Sequence, residues 1–146
     1  MQRAMELAHQ AASRGEVPVG AVVFDPETDT IIGEGANSPI AANDPTAHAE
    51  IVAIRAAAAA RQNYRLTGAH LYVTLEPCAM CAGAISMARI SKLVFAAGDQ
   101  KGGAVIHGPR FFEQPTCHWR TAIEHDQSRS EEASKLLKDF FASRRG

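Results

Sequence analysis

The sequence predicts an α/β fold, a three-layer α-β-α sandwich built on a five-stranded mixed sheet. Short apolar runs typical of strands alternate along the chain with segments of helical periodicity, which favours helices on both faces of a sheet. The first two predicted strands are joined by a short turn, so they pair antiparallel and the sheet is mixed. A length of 146 residues fits one hydrophobic core, and we expect residues 1–146 to form a single domain.

A helix and a hairpin open the chain. Residues 2–14 place Met5 and other apolar side chains at the spacing of one helix face. Residues 17–24 and 30–36 are predicted strands, because the DPETD cluster between them is typical of a turn. Residues 37–45 are expected to form a loop.

Strands and helices alternate over the rest of the chain. The predicted strands are residues 71–75 and 93–97, with a short one near residues 119–123, and the predicted helices are residues 46–61, 77–87 and 130–143. Residues 98–120 are rich in Gly and Pro and are difficult to assign. In the last helix the apolar stripe continues through Phe140 and Phe141, which we expect to lie in the core.

Composition and charge limit the possible function classes. The formal net charge is -1, so any nucleic-acid binding must come from local basic patches. Apolar runs stay well below the roughly 20 residues of a membrane-spanning helix, and the start of the chain lacks the apolar core of a signal peptide. The three cysteines include a C-x-x-C pair and do not suggest a disulfide framework. We therefore expect a protein of the reducing cytoplasm with no membrane partner.

Two short motifs contain residues that bind metals readily. Cys78 and Cys81 are three residues apart at the start of a predicted helix, a spacing that places both sulfurs on one face. A helix N-terminus lowers the pKa of such thiols. His48 offers a third ligand, and a His/Cys/Cys set leaves the fourth position of a zinc ion open for water. The sequence therefore predicts one catalytic Zn²⁺ per subunit.

Glu50 is the predicted proton carrier of this site. It follows His48 by two residues, and a carboxylate that is not a ligand can move a proton from water to a substrate. Residues two apart diverge in the middle of a helix, so both side chains face one metal only if the helix begins within a few residues of His48. The pattern H-x-E with P-C-x-x-C is typical of zinc deaminases, which hydrolyse an exocyclic amino group of a nucleobase.

Each motif alone has simpler interpretations. A C-x-x-C pair also occurs in thioredoxin-like dithiols, which would leave His48 and Glu50 without a role. A structural zinc site needs a fourth ligand, for which the candidates are His70, His107, Cys117 and His118. A zinc-stabilised subunit without activity is a third interpretation, and it predicts that Glu50→Gln changes nothing. The two motifs together, one predicted strand apart, favour the catalytic site.

Longer segments around these motifs closely resemble the bacterial tRNA-specific adenosine deaminases. The segments are EVPVGAV at residues 16–22, DPTAHAE at residues 44–50, NYRL at residues 63–66 and LYVTLEPCAMCAGA at residues 71–84. The wider cytidine deaminase superfamily shares the two zinc motifs, so the resemblance implies a cytidine deaminase-like fold. It also implies a cytoplasmic homodimer that converts adenosine to inosine at the wobble position of a tRNA anticodon stem-loop, typically in an arginine tRNA.

The resemblance also implies roles for single residues, beginning with the three zinc ligands and the proton carrier named above. Asn37 matches a polar contact to the flipped-out nucleoside, although it also suits a turn. Asp99 and Lys101 match a wall that faces the anticodon loop, and ordinary loop charges would give the same pattern. Arg144 and Arg145 match basic residues of the last helix that face tRNA, and a solvated chain terminus is the alternative.

The chain departs from the pattern of this family at Gly15 and Gly98, where well-known members carry arginine, and over residues 102–127. Fewer positive charges weaken the phosphate contacts that dominate nucleic-acid binding. The competing interpretation therefore keeps the zinc chemistry but assigns it to a free nucleobase or nucleoside, such as guanine, cytosine or a related heterocycle.

Overall fold

Five strands form one mixed sheet in the computed structural model. The structure describes residues 1–144 in full and the backbone of Arg145. The strands are β1 (Gly20–Asp25), β2 (Thr30–Ala36), β3 (His70–Leu75), β4 (Lys92–Ala97) and β5 (Ala122–His125), in the spatial order β2-β1-β3-β4-β5. β1 pairs antiparallel with β2 and with β3, whereas β3 and β5 both run parallel to β4. The predicted five-stranded mixed sheet is confirmed.

Helices cover both faces of this sheet. They are α1 (Gln2–Ser13), α2 (Pro39–Ala42), α3 (Ala49–Arg61), α4 (Ala79–Met87) and α5 (Ser130–Arg145), with single 3₁₀ turns at Phe111–Glu113 and Gln127–Arg129. α1 and α5 lie on one face, and α3 and α4 lie on the other. The predicted three-layer sandwich is therefore confirmed. Within the described residues, no helix has the length and apolar character needed to cross a membrane.

The strand side chains alternate between the two helical layers. Val23 of β1 and Leu71 of β3 belong to the larger core, on the side of α3 and α4. Their neighbours Val22 and Tyr72 belong to a smaller cluster on the side of α1. This alternation follows from the two-residue period of a strand, and it explains why short runs that are apolar throughout form the sheet centre.

The start of α3 differs from the prediction of a helix over residues 46–61. A side-chain oxygen of Asp44 accepts hydrogen bonds from the backbone amide and the hydroxyl group of Thr46, at 2.9 and 2.7 Å. These bonds hold the preceding residues in a turn, because an Asp side chain competes with helical hydrogen bonding. α3 consequently begins only at Ala49. The predicted loop before it also contains the short helix α2.

Close packing of α3 against β2 depends on glycine. A Cβ atom at Gly35 would lie 2.2 Å from the carbonyl oxygen of Ala49, and one at Gly33 would lie 2.4 Å from that of Ala53. Neither distance is compatible with a side chain, so both glycines allow the helix backbone to rest directly on the strand. The first turn of α3 is thereby fixed relative to the sheet edge.

The expectation that Phe140 and Phe141 lie in the core is wrong for Phe141, which is 43% exposed. Earlier residues of the same helix, such as Ala133, are buried against the sheet. The last turns of α5 instead border open grooves, where Phe140 is half-buried and carries the guanidinium group of Arg144 4.5 Å above its ring. The apolar stripe is thus longer than the surface that buries it.

Candidate active site

The site lies where the N-termini of α3 and α4 meet. His48 is the N-cap residue of α3, and its carbonyl oxygen accepts a hydrogen bond from the amide of Val52 at 3.0 Å. Cys78 holds the same position in α4, and Cys81 lies in the first turn of that helix. The requirement that α3 begin close to His48 is therefore met, because side chains at a helix start project beyond its N-terminus.

The three predicted ligands are grouped at distances that suit zinc. Nδ1 of His48 lies 3.6 Å from Sγ of Cys78 and 3.5 Å from Sγ of Cys81, and the three atoms lie within 4.8 Å of one another. A tetrahedral zinc ion, with bonds of about 2.3 Å to sulfur and about 2.0 Å to nitrogen, separates such ligand atoms by about 3.6 Å. In the part of the chain that the structure describes, no other His, Cys, Asp and Glu side chains are grouped in this way.

A structural zinc site would need a fourth side chain in this group. His107 instead donates a hydrogen bond to Glu76, and Sγ of Cys117 donates to the carbonyl oxygen of Trp119 at 3.1 Å. Among the described residues, the group contains three protein ligands. That number is typical of catalytic zinc sites, in which the remaining position serves water or substrate.

The two thiols differ in their readiness to ionise. The hydrogen bond with the side chain of Cys81 lowers the pKa of Cys78 to about 5, and burial opposes this shift. The same hydrogen bond and the burial of Cys81 raise the pKa of Cys81. The pair therefore consists of one thiol and one thiolate, with the thiol proton in the hydrogen bond between the two sulfurs. A bound cation displaces that proton, because the thiolate is the form that ligates metals.

Glu50 is buried beside the ligand group, with 4% of its surface exposed. Burial raises the pKa of its carboxyl group to about 7. A cation bound by the neighbouring side chains would oppose this shift, because it favours the carboxylate form. Glu50 and His48 line the same cavity, so both side chains project to one place despite a spacing that separates them in mid-helix.

The cavity at this place has a volume of about 270 Å³. Two of the metal-binding residues and Glu50 line it together with residues from β3 and four loops: Val17, Val19, Asn37, His48, Glu50, Leu75, Glu76, Cys78, Asp99 and Gly102. This volume lies just below the usual range of small-molecule sites, about 300 to 1,000 Å³, so it suits one base or nucleoside and excludes the rest of a polynucleotide.

Asn37 connects the cavity wall to the start of α3. Its side-chain oxygen accepts a hydrogen bond from the amide of Ala49 at 2.9 Å, which satisfies one of the unpaired amides of the helix N-terminus. Among the described residues, no acceptor is bound to its NH₂ group. Asn37 therefore both stabilises the helix start and offers a donor to a molecule in the cavity.

Asp99 and Lys101 share the loop after β4 but differ in position. One oxygen of Asp99 accepts hydrogen bonds from the amides of Lys101 and Gly102, at 3.1 and 2.9 Å, which closes a tight turn. Asp99 and Gly102 line the cavity. Lys101 is exposed on the same turn, outside the set of lining residues.

Two buried acidic side chains outside the predicted ligand and substrate set hold the loops around the cavity. The sequence offers no prediction for Glu16, whereas Glu76, which precedes Pro77, is predicted only as a structural hydrogen-bonding group. Glu16 is 3% exposed and accepts hydrogen bonds from the amides of Ile40 and Ala41 in α2. Burial by itself would raise the pKa of Glu76, but hydrogen bonds from the amide of Asp99, the ring of His107 and two further loop amides lower it overall. The sequence signal for either residue is only a charged side chain beside apolar runs, because its partners are backbone amides distant in sequence.

Open grooves continue from the cavity along α5. One groove, of about 370 Å³, contains Gly98 and Lys138, and the other, of about 390 Å³, contains Gly15 and Arg144. A nitrogen of the Arg144 guanidinium group lies 3.3 Å from the position that a Cβ atom at Gly15 would take. The positively charged side chain of Arg144 thus lies next to Gly15. The side chain of Arg145 lies outside the described residues.

Comparisons with known proteins agree with this geometry. The family model of the cytidine and deoxycytidylate deaminase zinc-binding region matches residues 1–97. The tRNA-specific adenosine deaminase of Haemophilus influenzae is 49% identical over 99% of this chain and 83% of its own length. That of Agrobacterium fabrum is also 49% identical, over 99% of this chain and 93% of its own length.

Solved structures place the chain in the same group. A tRNA:A34 deaminase, studied for A-to-I editing at the wobble position of transfer RNA, superposes with a TM-score of 0.90. It is 47% identical, over 94% of this chain and 97% of its own. A guanine deaminase from Bacillus subtilis superposes less closely, with a TM-score of 0.64 at 30% identity over 99% of this chain and 91% of its own.

Zinc content provides a direct check on the ligand set. We expect one zinc ion per chain in the purified protein and a small fraction of that amount in Cys81→Ser. The site has only three protein ligands, so the loss of one thiolate strongly lowers its affinity for zinc. Elemental analysis by plasma mass spectrometry measures this ratio. Cys117→Ser is the matched control, since Cys117 is the third free cysteine and lies outside the ligand group. Equal zinc loss in both variants would contradict the assignment.

Proposed function

Since the chain belongs to the cytidine and deoxycytidylate deaminase zinc-binding family, we infer that it hydrolyses the 6-amino group of the wobble adenosine in a tRNA anticodon. The reaction consumes one water molecule and leaves inosine and ammonia. The observation that supports a polynucleotide substrate is the arrangement of a base-sized cavity with two open grooves leading away from it.

A free nucleobase is the less favoured substrate. An enzyme of free bases needs to enclose a small ligand, and sites of that kind bury most of the ligand surface. Here the cavity opens into grooves that contain Lys138 and Arg144, which suit the phosphates of nucleotides on either side of the reacting base. The similarity to tRNA adenosine deaminases also exceeds the similarity to a guanine deaminase.

The catalytic roles follow from the chemistry of the donor set. His48, Cys78 and Cys81 would hold the zinc ion, which, when bound, acts as a Lewis acid that lowers the pKa of water towards about 7. We propose that Glu50 takes a proton from the nucleophilic water and delivers it to the ring nitrogen, and then carries the second proton, from the hydroxyl group now bound to the attacked carbon, to the leaving amine. Its burial keeps bulk water away from that carboxyl group.

Substrate contacts are proposed for five further residues. The NH₂ group of Asn37 donates to the flipped-out nucleoside, since its oxygen is already bound to the amide of Ala49. Asp99 forms part of the cavity wall, and Lys101 on the adjoining turn contacts the anticodon loop from outside. Arg144, in the groove beside Gly15, and Arg145, which follows it, bind phosphates of the stem-loop.

We propose that the active assembly is a homodimer. A cleft of about 790 Å³ is lined by Tyr64, Met87 and Trp119 among others, on the face opposite to α1 and α5. Tyr64 is 70% exposed and Met87 is 80% exposed, which is unusual for large apolar side chains grouped together. A second copy of the chain that covers this cleft would remove both from water.

We propose that residues 1–146 act as one deaminase domain, because the two helices that begin at the zinc motifs pack on one continuous five-stranded sheet. Three free thiols suit the reducing cytoplasm, where tRNA is also found. An arginine tRNA is the proposed substrate on the basis of the family resemblance.

Replacement of the proton carrier tests the reaction. We expect Glu50→Gln to reduce inosine formation on a wobble-adenosine stem-loop by at least about 100-fold, the lower bound for general acid–base catalysis. Zinc content should stay at one ion per chain, because Glu50 is not a ligand. Digestion of the RNA followed by nucleoside chromatography measures the product. Unchanged turnover would support the interpretation of a zinc-stabilised subunit without activity.

The same assay distinguishes the substrates. Stem-loops with the anticodon of an arginine tRNA and of other tRNAs are compared with adenosine, adenine, guanine, cytosine and cytidine as free compounds. Turnover of the stem-loops alone supports the proposal, and a preference among them identifies the tRNA. Turnover of a free base alone would leave the zinc chemistry in place and would overturn the assignment of the substrate.

Removal of a proposed phosphate contact should change the salt dependence of RNA binding. We expect Arg144→Ala to lower the slope of log affinity against log salt concentration by about 0.7, the value for one contact to single-stranded nucleic acid. Fluorescence anisotropy with a labelled stem-loop at several salt concentrations gives the slope. Lys92→Ala is the control, because Lys92 lies at the opposite end of β4 and pairs with Glu124. Equal slopes for both variants would argue against Arg144 as a phosphate contact.

A charge in the exposed cleft tests the dimer. We expect Met87→Asp to shift the protein from dimer to monomer in sedimentation velocity experiments, because a carboxylate buried between apolar surfaces is strongly unfavourable. Ile31→Asp provides the comparison, since Ile31 is an exposed apolar residue (44%) on the edge strand β2. A monomeric wild-type protein, or dissociation of both variants alike, would disprove this interface.

A further inference from the structure

The carboxylate of Glu76 is the centre of a dense hydrogen-bond group that the reaction itself does not use. Glu76 is 2% exposed. One oxygen accepts hydrogen bonds from the successive amides of Val105, Ile106 and His107 at 3.0, 2.9 and 3.0 Å. The other oxygen accepts from the amide of Asp99 at 2.9 Å and from Nδ1 of His107 at 2.6 Å. Five donors thus converge on one buried side chain.

All five donors belong to the loop after β4. Successive amides that point to one anion form a concave nest, and such a nest is held together by the anion at its centre. The loop wraps Glu76 so closely that a Cβ atom at Gly103 would lie 2.5 Å from the carboxyl carbon. The conformation of this loop therefore depends on Glu76, since the loop contains no strand and no helix before Phe111.

The same loop supplies a wall of the substrate cavity. Asp99 and Gly102 line it, and Asp99 is bound through its amide to Glu76. The zinc ligands and Glu50 lie instead on α3 and α4 or at their N-caps. A change in the loop should consequently affect how the substrate is held before it affects the chemistry.

His107 closes this group on its outer side. It donates to Glu76 twice, through its backbone amide and through its ring. Its side chain is 30% exposed, and Cε1 of the ring lies 3.3 Å from the position of a Cβ atom at Gly98. His107 thus links the far end of the loop to the carboxylate that also holds Asp99 at the near end.

We propose that Glu76 and His107 are positioning residues that fix the 99–102 wall of the cavity for the nucleoside, His107 acting through Glu76. This inference rests on the proposed deamination of a wobble adenosine. The ring of His107 donates one strong hydrogen bond to a charged group, and its loss leaves the wall free to move away from the substrate. The effect of the pair is therefore on the KM for the stem-loop, with kcat maintained.

Substitutions at His107 test the proposal without removing the buried carboxylate. Glu76→Gln would place an amide donor among five other donors, so the loop as a whole could fail to fold. His107→Ala removes only the ring donor. His107→Asn restores a donor, because its side-chain NH₂ group can take the place of Nδ1. His9→Ala, at an exposed site on α1, is the matched control.

Steady-state kinetics on the stem-loop give the first measurement. For His107→Ala we expect the KM to rise about tenfold, the size expected for loss of one hydrogen bond to a charged group. The kcat and the zinc content should match those of the wild type, and His107→Asn should recover most of the lost affinity. A fall in kcat at constant KM, or equal defects in the Ala and Asn variants, would overturn the positioning role.

Hydrogen exchange in the absence of RNA gives a second, independent measurement. Amides 99–107 should exchange faster in His107→Ala than in the wild type, while those of α3 stay unchanged, because only the loop loses a stabilising contact. Absence of wild-type turnover on any stem-loop would disprove the proposed function and leave this test intact. Unchanged exchange in His107→Ala would disprove the positioning role even if the enzyme edits tRNA.

Discussion

The whole site depends on two helices that begin at the same point in space. His48 and Cys78 are both N-cap residues. Their side chains therefore extend past the helix N-termini, as do the side chains of the first helical turns that follow them. The partial positive charge of two helix N-termini favours the thiolate and carboxylate groups gathered there. Gly35 lets the backbone of α3 rest on β2, and Asn37 binds the amide of Ala49. Both contacts hold the start of α3 against the sheet beside the metal-binding side chains.

The proposed chemistry and the proposed substrate contacts fall in different parts of the fold. The three metal-binding side chains and Glu50 lie at helix starts, where tertiary packing leaves little freedom. The cavity wall and the adjoining grooves are formed by loops and by the end of α5. Loops and chain ends tolerate sequence change more readily than a packed core. This division explains how one zinc site can serve deaminases of free bases and of RNA alike.

Two buried acidic side chains hold the loops around the cavity in one conformation, which these segments would not keep by themselves. Glu76 collects the amides of the loop after β4, and Glu16 collects two amides of α2. In both cases one buried side chain satisfies several backbone donors that would otherwise be unpaired away from water. The parallel pairing of β3 and β4 makes this possible at Glu76, because the two strands end side by side and the amide of Glu76 itself donates to Ala97. The substrate wall is therefore an extension of the sheet edge.

The sequence by itself determined the fold class and the metal-binding group, and it placed Glu50 next to that group as the predicted proton carrier. Strand and helix periodicity are local properties, and the spacing of His48, Glu50 and the two cysteines is readable without coordinates. Tertiary structure decided where α3 begins, where Phe141 lies and how Arg144 comes to stand beside Gly15. It also decided the contact of His107 with Glu76, which is 31 residues away. Such contacts depend on the path of the whole chain, because a side chain bound to distant backbone amides leaves no periodic pattern in the sequence.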